Sequence, residues 1–268
     1  MPRSTISINL AALFVLGAAA TVPRSAPAQL PVPAQTPAVV PIALPPVVAD
    51  SLPAFERPNG TLMRPGVLTY QLTLSTTQGE HVNLGARTVV VSDAILGGNP
   101  GWLITDERTG TVVPTSDSVF LTRADLTPER WSATIGRSQL GASFTRDSVF
   151  GAVQTYQGRA SFALAIPANV LLSAGMLERV LELLPLREGY RAGASLLVIE
   201  GLEPRVVPAE IAVEGSEAVT VGNRAIDAWR VAVRWGAMEQ RLWVARDGTR
   251  VVRTERVLPA GLLTATLQ

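Results

Sequence analysis

From Gly66 onward the chain alternates apolar and polar residues with a period of two. Leu68, Tyr70, Leu72 and Leu74 interleave with Thr69, Gln71, Thr73 and Ser75, the pattern of a strand with one face in a core. Val82 to Val91 gives a second strand after the Gln78-Gly79 turn. Further strand-like runs follow at Trp102–Thr105, Asp117–Thr122, Trp131–Ile135, Leu140–Phe144, Val149–Tyr156 and Ser161–Ile166. The period then changes. Leu177, Val180, Leu181 and Leu184 fall at i, i+3, i+4 and i+7, which predicts an amphipathic helix near 173–184. Glu178, Arg179 and Glu182 are placed on its polar side, Ser173 is the candidate N-cap, and Pro185 ends the helix because its ring cannot follow another helical turn. Strands resume at Tyr190–Glu200, Val206–Glu214 and Ala218–Val221. The cleanest alternation comes next: Trp229, Val231, Val233 and Trp235 against Arg230, Ala232 and Arg234. Glu239–Arg246 and Arg250–Val257 flank the Asp247-Gly248 hairpin signal, and Leu262–Leu267 closes the chain. About a dozen strands at short spacing predict a mainly β fold, and so many strands must curl, split or close. With one helix to cover, the expected architecture is a curved antiparallel sheet or open half-barrel, with the amphipathic helix packed in its concave face.

The first sixty residues break this pattern. Residues 1–28 read as a secretory signal: Arg3, an apolar run from Leu10 to Ala20 too short to span a bilayer, and Ala26-Pro-Ala28 as the small-x-small cleavage pattern, with Ala20 a second candidate. Residues 29–63 are rich in Pro, Ala and Val and are expected to form a disordered linker with polyproline character. The folded domain is expected over 64–268. No transmembrane segment is expected after signal cleavage, and the compartment implied is periplasmic or secreted.

Charge and cysteine content narrow the classes. Removing Arg3 and Arg24 with the leader takes the formal net charge from +1 to −1, which leaves no basic footprint for nucleic acid. Every basic side chain is Arg, spread evenly along the chain. The absence of cysteine excludes disulfides, thiolate metal sites, cysteine nucleophiles and a lipid-bearing cysteine.

Four segments together resemble an exported bacterial family, the domain of unknown function 3108 and its relatives: Asp117-Ser-Val-Phe-Leu with Leu126-Thr-Pro128; Leu183-Leu-Pro-Leu-Arg-Glu-Gly189; Asp227-Ala-Trp-Arg-Val231; and Leu242-Trp-Val-Ala-Arg-Asp-Gly-Thr-Arg-Val-Val252. The likeness covers roughly 64–268. It implies an antiparallel open barrel, similar in outline to the half-barrels of lipoprotein carriers, which hold acyl chains against a helix. It implies no catalytic residues.

The residues themselves offer little chemistry. His81 is the only histidine, and no Gly-x-Ser-x-Gly elbow accompanies it, so a Ser-His-Asp centre is not expected and the surface reading of His81 is preferred. One histidine without cysteine is a poor metal set, and neither a metal nor a cofactor is expected. Asp117, Glu200 and Asp227 lie near strand ends and are the acids a glycosidase reading would draw on, but nothing in the sequence selects a pair. The expected function is therefore non-enzymatic. An apolar ligand or lipid would lie in a slot lined by Tyr70, Met176, Leu177, Leu181, Trp229 and Trp235. The alternatives are a structural or protein-interaction module of the envelope whose slot is filled by its own side chains, and, third, a hydrolase. For the tryptophans, core and cross-strand packing is the competing explanation.

Overall fold

The computed structural model describes residues 52–110, 114–173, 175–200, 203–248 and 250–268. The signal and most of the linker predicted from sequence lie outside these residues. Among the described residues there are fifteen strands and one α-helix. The first eight strands form a continuous meander: β1 (Gly66–Thr76), β2 (His81–Leu96), β3 (Asn99–Gly110), β4 (Thr115–Thr122), β5 (Pro128–Ile135), β6 (Ser138–Phe144), β7 (Ser148–Thr155) and β8 (Gly158–Ala165). The short strand β9 (Val170–Leu172) and helix α1 (Gly175–Glu182) follow. A second meander completes the chain: β10 (Arg191–Glu200), β11 (Glu203–Val221), β12 (Arg224–Trp235), β13 (Met238–Ala245), β14 (Val251–Leu258) and β15 (Gly261–Leu267).

The two meanders form one sheet because β1 pairs with β15, Tyr70 opposite Leu267 and Thr76 opposite Gly261. The strand order is β8-β7-β6-β5-β4-β3-β2-β1-β15-β14-β13-β12-β11-β10-β9, with β8 and β9 at the two open edges. Every pairing is antiparallel except β9 with β10. The mainly β, open-barrel expectation therefore describes the molecule. The added strands come from places where the sequence pattern was weakest. One is Val170–Leu172, an apolar run just ahead of the helix that pairs with Ser195–Leu197 of β10.

Curvature follows from what α1 touches. It packs against β3 and β4 on one side and against β13 and β14 on the other. In the sheet β2, β1 and β15 lie between those pairs. The sheet therefore wraps around the helix, as an area this large must if its inner face is to be covered by one short helix. Leu177, Val180 and Leu181 are buried to 1 % exposure or less, as the apolar stripe predicts. Burying each such side chain is worth about 1.5–3 kcal/mol.

Two expectations need correction. The helix spans Gly175–Glu182, shorter than 173–184, and its polar side does not face water: Glu178, Arg179 and Glu182 are all buried. The packed domain also begins before residue 64. Phe55 is in the core, and its N–H donates to the Gly193 carbonyl at 2.7 Å. Arg57 donates to the carbonyls of Leu126 (2.7 Å) and Val170 (2.8 Å). Pro-rich composition predicted linker here, but a phenylalanine and an arginine with carbonyl partners anchor 53–63 to the sheet.

Candidate functional site

The interior is built by strands whose inward positions are apolar except where they meet α1. Trp102 and Ile104 point inward on β3, and two residues on, at the same parity, stands Asp106. Arg87 precedes Val89 and Val91 on β2 in the same way, and Asp117 precedes Val119 and Leu121 on β4. These charged residues occupy core positions of regular strands. Arg87 joins two elements: its Nε donates to Asp106 Oδ1 and Oδ2 at 2.9 and 3.0 Å, its Nη2 to Asp106 Oδ2 at 2.7 Å, and its Nη1 to Glu178 Oε1 of α1 at 2.7 Å. The planar guanidinium suits this forked contact, which an ammonium could not reproduce.

A second set lies alongside. Arg179 Nη2 is 2.8 Å from Glu182 Oε1 and 3.3 Å from the Tyr70 hydroxyl, which itself donates to the Val251 carbonyl at 2.9 Å. Glu182 Oε1 accepts from the Val251 N–H at 2.5 Å. Helix α1 is thereby tied to β1, β2 and β14 by charge-assisted hydrogen bonds as well as by its apolar stripe. It also lies close to β3: a Cβ added at Gly175 would stand 3.4 Å from Ile104 Cγ2, an ordinary van der Waals contact.

The buried charges divide by their partners. Burial alone would lower the Arg87 pKa, but the adjoining Glu178 and Asp106 carboxylates hold it well above its ordinary value. Burial acts to raise Asp106, and the Arg87 contact outweighs it and keeps that carboxyl below the usual range. Asp117 makes no ion pair among the described residues, and Arg108 and Arg87 act on it only weakly. Burial raises it to about 7 against the hydrogen bond from Trp131 Nε1 at 2.6 Å, and the cross-strand Asp106 charge pushes the same way. Glu182 is also raised to about 7 by burial, in spite of Arg179 and the Val251 N–H. Burial raises Tyr70 as well.

The six residues expected to line a slot divide accordingly. Tyr70, Met176, Leu177, Leu181 and Trp235 are all at 3 % exposure or less, in the core around α1. Trp229 is only partly buried, with the Arg246 guanidinium 4.5 Å from its ring centroid. Among the acids considered for hydrolysis, Asp117 lies inside the sheet beside Asp106, whereas Asp227 is exposed on β12. The Glu200 side chain lies outside the described residues. Sequence reasoning gave Arg87 and Asp106 no place in a site and read Glu178 only as part of the helix's polar side. The signal was present in the period: each strand residue continues an inward apolar series.

The outer face has its own features. Arginines that are evenly spaced in sequence gather there on β10–β14. Arg234 contacts Glu214 and, at 2.7 Å, Glu239; Arg241 contacts Glu239 at 2.7 Å; Arg230 lies 3.3 Å from Glu214; and Arg191 pairs with Glu210. A groove of about 570 Å³ lies next to this lattice, lined by β1, β15, Arg253 of β14, His81 at the start of β2 and residues 217–220 of β11. Ser75 Oγ and His81 Nδ1 are 2.9 Å apart across the β1–β2 pair. That contact gives His81 a hydroxyl partner, but among the described residues no acid hydrogen-bonds its ring to make a triad.

No family model matches the sequence, and no curated protein matches it, so the resemblance to domain of unknown function 3108 stays at the level of a β-barrel-like fold of unknown function. Among solved structures, the chain is similar to a β-barrel-like protein of domain of unknown function 1849 from Brucella abortus. The TM-score is 0.52 at 11% identity, covering 80% of this chain and 98% of that one. This likeness concerns the fold alone. A looser one, with TM-score 0.34 and 14% identity, links the chain to the hypothetical lipoprotein YmcC from Escherichia coli over 76% of this chain and 87% of that one.

Proposed function

We propose that this protein is a non-enzymatic, exported component of the bacterial envelope that works as an interaction module with a filled interior, not as a carrier of acyl chains. The observation that carries the reading is the complete burial of α1. All eight of its residues are buried, and its charged side chains are engaged with the sheet. An acyl chain entering that space would have to displace Met176, Leu177 and Leu181 and leave Glu178 and Arg87 facing hydrocarbon. Unpaired buried charges of that kind cost several kcal/mol, more than burying a few methylenes returns. Export rests on the signal pattern of residues 1–28. The outward positions of the sheet carry Arg and Glu while the inward ones are apolar, the reverse of a membrane-spanning barrel, which favours work in an aqueous compartment.

The test is native mass spectrometry of residues 29–268 purified from a bacterial periplasm, before and after incubation with phospholipids, with organic extraction of the sample. A bare protein mass in both states is expected. A stoichiometric lipid adduct would overturn the filled-interior reading and restore the apolar slot around Tyr70, Met176, Leu177, Leu181, Trp229 and Trp235.

A further inference from the structure

The outer groove arises from a bulge. Strand β11 is regular to Val213, where its register against β12 shifts before Gly215. Gly215 takes a φ of +152°, a conformation that other residues adopt only under strain. The hairpin beyond it outruns β13, whose last partner on β12 is Ala228. It lies over the outward face of the neighbouring strands, where the Trp243 indole N–H donates to Glu217. The groove is the space between residues 217–220 and the sheet.

Its floor is made of hydroxyls. Thr73 of β1 lies directly opposite Thr264 of β15, with Thr266 and Ser75 beside them, all on the face away from Tyr70, Leu72 and Leu74. Ser75 is engaged with His81. The hydroxyls of Thr73, Thr264 and Thr266 have no hydrogen-bond partner among the described residues, and Thr220 brings a fourth such hydroxyl from the overhanging hairpin. The charged groups at the groove are paired: Arg253 with Glu255, its guanidinium 4.8 Å from the Trp243 ring centroid, and Glu217 with Arg230 at 3.9 Å, while it also accepts from the Trp243 indole.

We propose that this groove is a binding site for a neutral, hydroxyl-rich ligand, a short glycan segment. Hydroxyls both donate and accept, so a row of uncommitted threonines matches a ligand whose groups do the same. The polar floor does not suit an acyl chain, and the paired charges leave no net field for an anionic or cationic ligand. A volume of about 570 Å³ falls within the roughly 300–1,000 Å³ typical of small-ligand sites. The site is on the opposite face of the sheet from α1, so it stands whether or not the interior admits lipid.

Chitotetraose, maltotetraose and, as an anionic comparison, tetragalacturonate would be titrated into the protein and followed by backbone NMR shifts. The proposal expects saturable shifts at residues 73, 75, 81, 217–220, 264 and 266 with at least one neutral oligosaccharide. It also expects binding at least tenfold weaker in Thr264→Val/Thr266→Val, a pair of changes of similar shape at half-buried, outward-facing strand positions that keeps β-propensity and the melting temperature. The proposal is overturned by binding of tetragalacturonate alone, by unchanged affinity in the folded double variant, or by no groove shifts with either neutral sugar at millimolar concentration.

Discussion

Arg87 holds two carboxylates from two elements, and its loss can be read directly as stability. In Arg87→Met, Asp106 and Glu178 remain buried without their cation, and unfolding stability should fall by about 3–5 kcal/mol, measured by urea denaturation. Arg87→Lys should recover only part of this, because an ammonium cannot fork between Asp106 and Glu178 as the guanidinium does. A loss below about 1 kcal/mol in the methionine variant would mean that water already reaches the pair. Asp117 and Glu182 make a different prediction. Their folded-state pKa values, near 7, lie above the ordinary carboxylate values, so the folded protein binds these protons more tightly than the unfolded chain does. Their contribution to stability is complete below about pH 4 and declines as pH rises to about 7. Asp106, held low by Arg87, works the other way: its contribution is present above the ordinary carboxylate pKa and is lost as pH falls below it. Asp117→Asn, which can still accept from Trp131, should therefore stabilise the protein by up to about 4 kcal/mol at pH 8 and by little at pH 4. An equal gain at both pH values would trace the effect to packing and not to ionisation. These residues show where sequence reading stopped. A charge at an inward position of a strand is visible in the alternation, but its partner lies about ninety residues away on a helix and is not.

At the scale of elements, the strands were legible because each hairpin carries its own local signal. Gln78-Gly79 and Asp247-Gly248 both turn where the pattern places them. The helix was legible through its apolar stripe, but its surroundings were not. An amphipathic period normally marks one face toward solvent. Here the charged face meets Arg87 and Tyr70 inside the sheet, a tertiary pairing that overrides the local rule. Leu181→Ala on α1 should cost about 2–5 kcal/mol, as for a core leucine whose surroundings cannot collapse. A cost near zero in thermal or urea unfolding would place the helix outside the cooperative core. The β11–β12 hairpin makes a second element-level case. The clean alternation of β12 predicted the strand, but the bulge that swings its tip over the outer face is a single unpaired residue, which periodicity does not record.

At the scale of the molecule, one open sheet curls around one short helix, and the chain closes the arrangement by pairing its first meander strand with its last. Hydrophobic alternation was enough to predict that class. The helix in the concave face was expected as well, but the burial of its charged side there against Arg87 and Tyr70 was not, since periodicity records no tertiary partner. The most direct test is native-state hydrogen exchange across Gly175–Glu182, with and without phospholipid vesicles. If α1 is a permanent part of the core, its amides exchange as slowly as those of β1 and β12, and lipid leaves them unchanged. Exchange orders of magnitude faster than in those strands, or faster on adding vesicles, would mean that the helix leaves the concavity and that the interior is a binding slot after all.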